Sequence, residues 1–271
     1  MSGHITTDGV QIAYRIDGTG ELPWLIFSNS LATDLSLWDG QVAHLRDHFR
    51  ILRYNQRGHG ASSVPAQPCT FAALAADVIA LMDHLGITRA SLVGVSMGAV
   101  TMLTVAASHP QRVERVLACD GQWAAPTGAA EAWQARIDSA EASGMAALVE
   151  PTAARWFKAP FMARPSPALE HVRRMIGATP SGGFIQCARA LQAYDLRDQI
   201  GAIEVPCMLL VGAEDGSLPG VMRRMADVIP GARYAEVAAA GHLPNLEQPE
   251  LFNAAAASFL LPDQSLHGGP P

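Results

Sequence analysis

Three polar residues of this sequence have the types and the chain order that nucleophilic hydrolysis needs: Ser96, Asp215 and His242. The serine hydroxyl is the nucleophile, histidine removes its proton as a general base, and the carboxylate orients the imidazole. Ser96 is the centre of the pentapeptide Gly-Val-Ser-Met-Gly, which is typical of a nucleophile on a sharp strand-to-helix turn. The same pentapeptide also fits an ordinary glycine-rich turn with an inert serine, so the surrounding elements must decide.

The tightness of such a turn explains the glycines on either side of the serine. It brings Gly94 and Gly98 against neighbouring backbone, where a side chain would clash. Met97 would open the following helix and offer its backbone N–H as one half of an oxyanion hole. The second donor should come from the loop after the apolar segment 23–28, where the N–H of Leu31 is the best candidate.

Each of the three candidate residues comes after an apolar, β-prone segment. These segments are residues 91–95, 206–211 and 232–237. Ligands bind beyond the carboxyl ends of strands in a parallel sheet, so the three side chains should meet at one edge. Taken alone, Asp215 could be a turn residue and His242 a solvated loop histidine, but their order and placement favour a triad. Glu214 is the competing acid, and Asp215 is preferred because the shorter side chain suits a fixed acceptor. His59, in an Arg-Gly-His-Gly loop, is interpreted as a scaffold residue and not as a base.

The alternation of strand and helix patterns predicts a mostly parallel, doubly wound α/β sheet. Further strands are expected at residues 9–16, 23–28, 49–54 and 115–120, and helices at residues 38–45, 70–85, 97–109, 219–228 and 249–261. Between these strand-rich parts the pattern turns helical, which indicates a cap inserted between two strands. The predicted organisation is a core of residues 1–120 and 201–261, a helical cap of residues 121–200, and a disordered tail of residues 262–271.

Composition limits the classes of protein and partner. The 271 residues are 49% hydrophobic and 16% charged, a balance typical of a compact domain. A net charge of −6, without a Lys- and Arg-rich run, argues against nucleic acid as a partner. The N-terminus lacks a signal-peptide pattern, no apolar stretch could span a bilayer, and the four separated cysteines match no metal or redox motif. We therefore expect a cytoplasmic protein with no membrane partner, no cofactor and no metal; whether it forms a homo-oligomer stays open.

Several motifs resemble those of the 3-oxoadipate enol-lactonases, capped α/β-hydrolases of the β-ketoadipate pathway for aromatic-compound breakdown. They are residues 28–38, 53–62, 94–98 and 241–249, with Arg-Trp-Phe at residues 155–157 of the cap. The resemblance extends from about residue 5 to residue 261, and the Ser-Asn-Ser-Leu loop at residues 28–31 is its most family-specific part. Two positions depart from the family, since Asn55 stands where Asp is usual and Ala99 where Gly is usual.

The resemblance implies the α/β-hydrolase fold and a substrate that carries a free carboxylate, so a cation is expected in the cap. Arg155 is the first choice, with Arg136 and Lys158 behind it. Trp133 and Trp156 could pack against the small ring. Each of these residues could equally be a surface charge or a core aromatic side chain.

The implied function is the opening of a small carboxylate-bearing lactone, which for this family is 3-oxoadipate enol-lactone, through an acyl-enzyme on Ser96. A carboxylesterase, a perhydrolase or a C–C bond hydrolase of the same fold stays open as an alternative, because a fold does not fix the reaction. Serine at the turn argues against dehalogenase and epoxide-hydrolase chemistry, for which relatives use Asp. A non-catalytic binding module would not need Asp215 and His242 beside the serine.

Overall fold

A computed structural model of the chain describes residues 1–261, in which eight strands form one sheet of order β1-β2-β4-β3-β5-β6-β7-β8. The strands are β1 (Ser2–Thr7), β2 (Val10–Asp17), β3 (Trp24–Ser28), β4 (Arg50–Tyr54), β5 (Ala90–Val95), β6 (Val113–Cys119), β7 (Cys207–Gly212) and β8 (Arg233–Val237). The predicted disordered tail, residues 262–271, lies outside the described residues.

Twelve α-helices accompany the sheet within residues 1–261. They are α1 (Asp39–Leu45), α2 (Phe71–His84), α3 (Met97–Ser108), α4 (Ala129–Ser143), α5 (Val149–Trp156), α6 (Ala159–Met162), α7 (Pro167–Ala178), α8 (Ser181–Gln192), α9 (Arg197–Ile200), α10 (Leu218–Val228), α11 (Pro244–Glu247) and α12 (Pro249–Leu260). Short 3-10 helices lie at Leu35–Trp38, Pro110–Arg112 and Met145–Leu148. None of the helices described is long and apolar enough to cross a membrane.

The sheet is parallel from β4 through β3 to β8, and among the strands of residues 1–261 only the β1/β2 and β2/β4 pairs are antiparallel. Every residue of β5 and β7 is buried, because helices such as α3 and α10 pack on these strands. The sequence therefore predicted the architecture correctly, a mostly parallel α/β sheet. The predicted strands agree with the observed bounds to within two residues.

The hydrophobic pattern did not predict strand β1. This strand pairs with β2 across a turn at Asp8 and Gly9, whose φ angles are 48° and 70°. A two-residue hairpin turn of type I′ requires positive φ at both positions, and Asp-Gly is a favoured sequence for it. The Asp-Gly pair thus indicated a hairpin, whereas the hydrophobic pattern of residues 2–7 alternates too weakly to predict a strand.

The described chain between β6 and β7 forms six α-helices, α4 to α9, and its only bridge pairing joins Ala124 to Asp195. Helix α8 lies backbone to backbone against the loop after β4. A Cβ on Gly58 would be 2.5 Å from the Gly183 Cα, and one on Gly183 would be 1.9 Å from the Gly58 carbonyl oxygen. This close contact, which only glycine permits, fixes the helical segment over the carboxyl edge of the sheet.

Candidate active site

Ser96 lies on the turn from β5 to α3 in a conformation that residues other than glycine rarely adopt, with φ 58° and ψ −119°. A Cβ on Gly94 would lie 2.2 Å from the Gly98 carbonyl oxygen, and one on Gly98 would lie 2.2 Å from that of Ser28. The Ser96 N–H donates to the Cys119 carbonyl oxygen at 2.8 Å, which ties the turn to β6. These contacts show why the turn needs both glycines and how it holds the serine at the end of the sheet.

The two predicted oxyanion donors lie on adjoining backbone segments. Met97 is the first residue of α3, so its N–H has no acceptor inside the helix, and it lines the cavity described below. The Leu31 N–H has no hydrogen-bond acceptor among residues 1–261, and Leu31 is buried without lining that cavity. The contact of Gly98 with the Ser28 carbonyl brings the loop after β3 directly against the start of α3.

His59 supports the loop that carries Leu31. Its Nε2 accepts the Ala32 N–H at 2.9 Å, and its Nδ1 lies 3.1 Å from the Arg57 carbonyl oxygen, to which it donates. Burial lowers the pKa of His59 to about 4, so the ring is neutral and Nε2 is free to accept. Ala32 itself has a φ of 61°, a conformation that this hydrogen bond helps to hold. His59 is therefore a support of the loop, in keeping with its interpretation as scaffold.

Asp215 and His242 form the pair expected at the ends of β7 and β8. The Nδ1 of His242 lies 2.6 Å from Oδ2 of Asp215, with side-chain exposures of 13% and 15%. Glu214, the competing acid, is exposed, and its backbone carbonyl accepts a hydrogen bond from the Lys158 ammonium. The carboxylate on the imidazole is therefore that of Asp215.

The electrostatics of the pair favour an ionised Asp215. Burial opposes its ionisation, but His242, a hydrogen bond with Asp120 and the charge of Lys158 together hold the pKa of Asp215 below its usual value. Asp120, by contrast, has a pKa well above the usual range, because it is fully buried and faces the charge of Asp215. An ionised Asp215 accepts the Nδ1–H of His242, which leaves Nε2 as the nitrogen that can take a proton.

The histidine loop is fixed to the helical segment through backbone contacts. The His242 N–H donates to the Trp156 carbonyl oxygen at 2.7 Å, and the two rings stack with centroids 6.0 Å apart. Glu247 accepts the Gly241 N–H at 2.7 Å and the Lys158 N–H at 2.9 Å with its two carboxylate oxygens. One acid thus clamps the loop of the predicted base to the end of α5.

A cavity of about 360 Å³ opens beside these groups, a size suited to a small molecule. Ser96, Asp215 and His242 all line it, together with aromatic and cationic side chains of the helical segment. The residues predicted to bind substrate that line it are Arg155, Trp133 and Trp156. Arg136 and Lys158 are not among its lining residues.

The two arginines differ in their surroundings. The Arg155 guanidinium lies 5.5 Å from the Trp133 ring centroid, on the cavity, and its side chain is solvent-accessible. The Arg136 guanidinium stacks on the same ring at 4.6 Å and donates to the Thr152 hydroxyl at 2.9 Å, while its other terminal nitrogen is buried without a partner. Burial and the nearby charge of Arg155 lower the pKa of Arg136 to about 9. Two guanidinium groups therefore lie over the Trp133 ring, and of these two arginines only Arg155 lines the cavity.

The potential ligand atoms of Asp120, Asp215 and His242 all lie within 4.8 Å of one another, which is also a spacing that a metal ion could bridge. The 2.6 Å contact between the imidazole and Asp215 is, however, a hydrogen bond in which nitrogen donates to oxygen. The cluster is therefore arranged as a hydrogen-bonded imidazole–carboxylate pair with a second, buried carboxyl group beside it.

Two residues at the site, Asp120 and Glu247, were not singled out as candidates from the sequence. Asp120 follows β6 at the same carboxyl edge as the predicted triad, so the search of strand ends could have found it. Glu247 lies five residues after His242 within the Gly-His-Leu-Pro-Asn-Leu-Glu motif. Only the folded chain brings its carboxylate back onto Gly241.

Known proteins share this fold and much of this sequence. A family model described as alpha/beta hydrolase fold matches residues 23–249. Over 256 residues the chain is 34% identical to 3-oxoadipate enol-lactonase 2 of Acinetobacter baylyi, covering 94% of this chain and 95% of that protein. A solved enol-lactonase from Burkholderia xenovorans superposes with a TM-score of 0.91 at 39% identity, covering 95% of this chain and 99% of that one.

The fold, the strand-end residues and these likenesses together define a hydrolase of carboxylic ester bonds. The chain belongs to the α/β-hydrolase family and, within it, to the group of the 3-oxoadipate enol-lactonases. The resemblance predicted from the motifs is confirmed.

Proposed function

We propose that this protein hydrolyses 3-oxoadipate enol-lactone to 3-oxoadipate with Ser96 as the nucleophile, His242 as the general base and Asp215 as its carboxylate partner. The observation that carries the proposal is a single cavity lined by Ser96, by the hydrogen-bonded Asp215–His242 pair and by Arg155. The cavity thus combines a nucleophile and base for acyl transfer with a cation suited to a free carboxylate. Its partner is accordingly a small lactone or ester.

In the first half of the reaction, Nε2 of His242 accepts the Ser96 proton as the hydroxyl oxygen attacks the lactone carbonyl carbon. The N–H groups of Met97 and Leu31 stabilise the tetrahedral oxyanion. The acyl–oxygen bond of the ring then breaks as protonated His242 gives its proton to the leaving oxygen, which departs as an enol and leaves His242 neutral. The enol becomes the ketone when a proton adds at carbon and the hydroxyl proton is lost. The acyl group stays on Ser96 as an ester.

In the second half, His242 removes a proton from water, and the resulting hydroxide attacks the Ser96 ester. Collapse of the second tetrahedral intermediate releases the carboxylic acid and returns the proton to Ser96. Asp215 stays ionised throughout and balances the imidazolium charge in both halves. Overall, one water molecule is consumed for each lactone opened.

The cap side of the cavity gives a basis for substrate choice. A guanidinium forms charge-assisted hydrogen bonds with a carboxylate, and Arg155 is the arginine that lines the cavity. The side chains of Trp133 and Trp156 line the cavity and offer apolar surface for the small ring. Arg136 does not line the cavity and would act indirectly, by stacking on Trp133.

The test is a comparison of kcat/KM for the enol-lactone with kcat/KM for a neutral aryl ester of similar size. We expect the enol-lactone to be preferred by at least about 100-fold, since its carboxylate can form charge-assisted hydrogen bonds with Arg155 that a neutral ester lacks. A preference for the aryl ester by orders of magnitude would instead support a carboxylesterase. Assays with peroxide as acyl acceptor and with a C–C bond substrate separate the other two alternatives.

We further propose that the protein works in the cytoplasm. All four cysteines are buried free thiols, and the sulfur atoms of Cys69 and Cys187 are only 3.3 Å apart. So close a pair would be open to oxidation in a compartment that favours disulfides, whereas a reducing compartment keeps it as thiols. Cell fractionation with marker enzymes checks this, and recovery outside the cytoplasmic fraction would contradict it.

A further inference from the structure

Asp120 is a buried acid that the mechanism above does not use. Asp120 directly follows β6, is only 1% exposed to solvent, and has a backbone φ of 46°. One carboxyl oxygen accepts the Gly212 N–H at 2.9 Å, and the other accepts the Cys119 thiol at 2.8 Å. The side chain is therefore held in one place by β6 on one side and by the end of β7 on the other.

The carboxyl group held in this way reaches the predicted catalytic pair. One of its oxygens lies within 4.8 Å of both the Asp215 carboxylate and the His242 imidazole. Two carboxylates so close in a buried site cannot both be ionised, because their repulsion is poorly screened there. One of the pair must carry a proton at neutral pH.

The charges around the pair decide which acid holds the proton. Asp215 faces His242 and the positive charges of Lys158 and Arg155 from the helical segment, all of which stabilise its ionised form. Asp120 lies beside the Cys119 thiol and Asp215, and the imidazole near it, that of His242, makes its hydrogen bond to Asp215. The ionised acid is therefore Asp215, and the protonated one is Asp120.

We propose that Asp120 is a neutral carboxylic acid that donates a hydrogen bond to Asp215 and so positions the carboxylate that orients His242. It is a positioning residue, which acts through Asp215 and not on the substrate. The proposal rests on the triad of the proposed function. A donor on the far side of Asp215 holds the carboxylate in the rotamer that accepts the Nδ1–H of His242 and adds no second negative charge to the site.

A comparison of three proteins distinguishes the positioning role of Asp120 from a merely structural one: wild type, Asp120→Asn and Asp120→Leu. Asparagine keeps an oxygen for the Gly212 N–H and an N–H donor for Asp215, and it has no ionisable group. Leucine fills a similar volume but has no donor. The readout is the rate at which a fluorophosphonate modifies Ser96, followed against pH. In that reaction an Oγ–P bond forms, the P–F bond breaks, fluoride leaves and the serine proton passes to His242.

We expect Asp120→Asn to keep at least about a third of the wild-type rate and the same acidic limb of the pH profile, because the charge near His242 is unchanged. Asp120→Leu should be slower by about 10-fold or more, the equivalent of one lost hydrogen bond to a charged group. In the infrared spectrum at neutral pH, the carbonyl band of a protonated carboxylic acid should be present in wild type and absent in Asp120→Asn. Thermal melting of each variant shows whether it is folded.

Two results overturn the proposal. One is a shift of the acidic limb to lower pH, by one pH unit or more, in Asp120→Asn. Such a shift would mean that wild-type Asp120 carries a negative charge that stabilises the imidazolium. The other is a wild-type rate in folded Asp120→Leu. If Asp120→Leu does not fold, the proposal is still tested by the pH of the acidic limb in Asp120→Asn and by the infrared band, which should be present in wild type and absent in Asp120→Asn. If the fluorophosphonate does not modify Ser96 in wild type, the proposed triad itself is overturned. If wild type reacts with the fluorophosphonate but does not hydrolyse the enol-lactone, only the proposed substrate is wrong and the test of Asp120 still holds.

Discussion

The Nδ1 of His242 lies 2.6 Å from Oδ2 of Asp215, although the two residues follow different strands and are 27 positions apart in the chain. The pair exists because β7 and β8 are parallel neighbours, so that the loops at their carboxyl ends meet. Its geometry fixes the imidazole tautomer with the proton on Nδ1. Nε2 is thereby free to accept a proton, as the proposed role of His242 as the base for Ser96 requires.

Replacement of Asp215 by Asn should reduce kcat for ester or lactone hydrolysis by about 10³- to 10⁴-fold, because an amide favours the wrong imidazole tautomer and does not balance the imidazolium charge. KM should change little, since Asp215 acts on His242. Steady-state kinetics measure both. The matched control is Glu214→Gln, which removes the neighbouring exposed carboxylate and should keep activity within about twofold. Equal losses in the two variants would contradict the assignment of Asp215.

Replacement of Gly98 by Ala should lower both stability and kcat. The new Cβ would be 2.2 Å from the Ser28 carbonyl oxygen, so the loop with the proposed oxyanion donor must move away from α3. We expect a loss of about 1–3 kcal/mol in the free energy of unfolding, as for other overpacked sites, and at least a 10-fold loss of kcat. Urea unfolding and kinetics measure the two effects.

Gly40→Ala is the control for that substitution, because a Cβ at this position in α1 meets nothing within 4 Å. It should stabilise the fold by about 0.5–1 kcal/mol through the helix preference of alanine, with unchanged kcat. A Gly98→Ala variant that behaved like Gly40→Ala would show that the contact with the β3 loop does not constrain the site.

The buried His59 should make the fold less stable as the pH falls. Its pKa is 6.5 in an unfolded chain and about 4 in the fold, so between these values the unfolded chain binds a proton that the folded one does not. Stability is therefore complete above about pH 6.5 and decreases towards pH 4, by about 2 kcal/mol between pH 7 and pH 5. Urea unfolding at the two pH values measures this decrease.

The His59→Gln variant lacks the titrating ring, so its loss of stability between pH 7 and pH 5 should be smaller than that of wild type by about 2 kcal/mol. His48→Gln removes an exposed histidine and should lose as much as wild type. If all three proteins show the same dependence on pH, His59 is not a buried neutral ring.

Replacement of Arg155 by Gln tests how the cavity recognises a carboxylate. For a carboxylate-bearing lactone we expect KM to rise by about 10- to 100-fold, the equivalent of one charge-assisted hydrogen bond. For a neutral aryl ester, kcat/KM should change by less than about threefold. Arg89→Gln, which removes an arginine in an exposed ion pair with Glu114, is the control and should leave both substrates unaffected. An equal loss on both substrates would mean that Arg155 supports the fold and does not read the carboxylate.

The sequence predicted those parts of the fold and site that depend on local pattern. Apolar runs that end in Ser96, in Glu214–Asp215 and shortly before His242 identified three strand ends, and the parallel sheet then had to bring them to one edge. The turn at Ser96 could be argued from Gly94 and Gly98 alone, because a steric need for glycine leaves a signature in the sequence.

Contacts between distant segments carry no such signature. Nothing local indicates that the Trp156 carbonyl accepts the His242 N–H, or that Glu247 joins the histidine loop to Lys158. The packing of α4 and α5 determines whether Arg136 or Arg155 lines the cavity. The composition of these two helices is compatible with either arginine. Asp120 looks like an ordinary turn residue until β7 places Asp215 beside it.

The central claim is that Ser96 opens an enol-lactone in this cavity, and the loss of enol-lactone absorbance tests it most directly. Wild type should consume the lactone at a rate proportional to enzyme concentration. Folded Ser96→Ala should be slower by at least about 10⁴-fold, because the acyl-enzyme cannot form. A wild-type protein without activity on the lactone, or a Ser96→Ala variant that keeps it, would contradict the account.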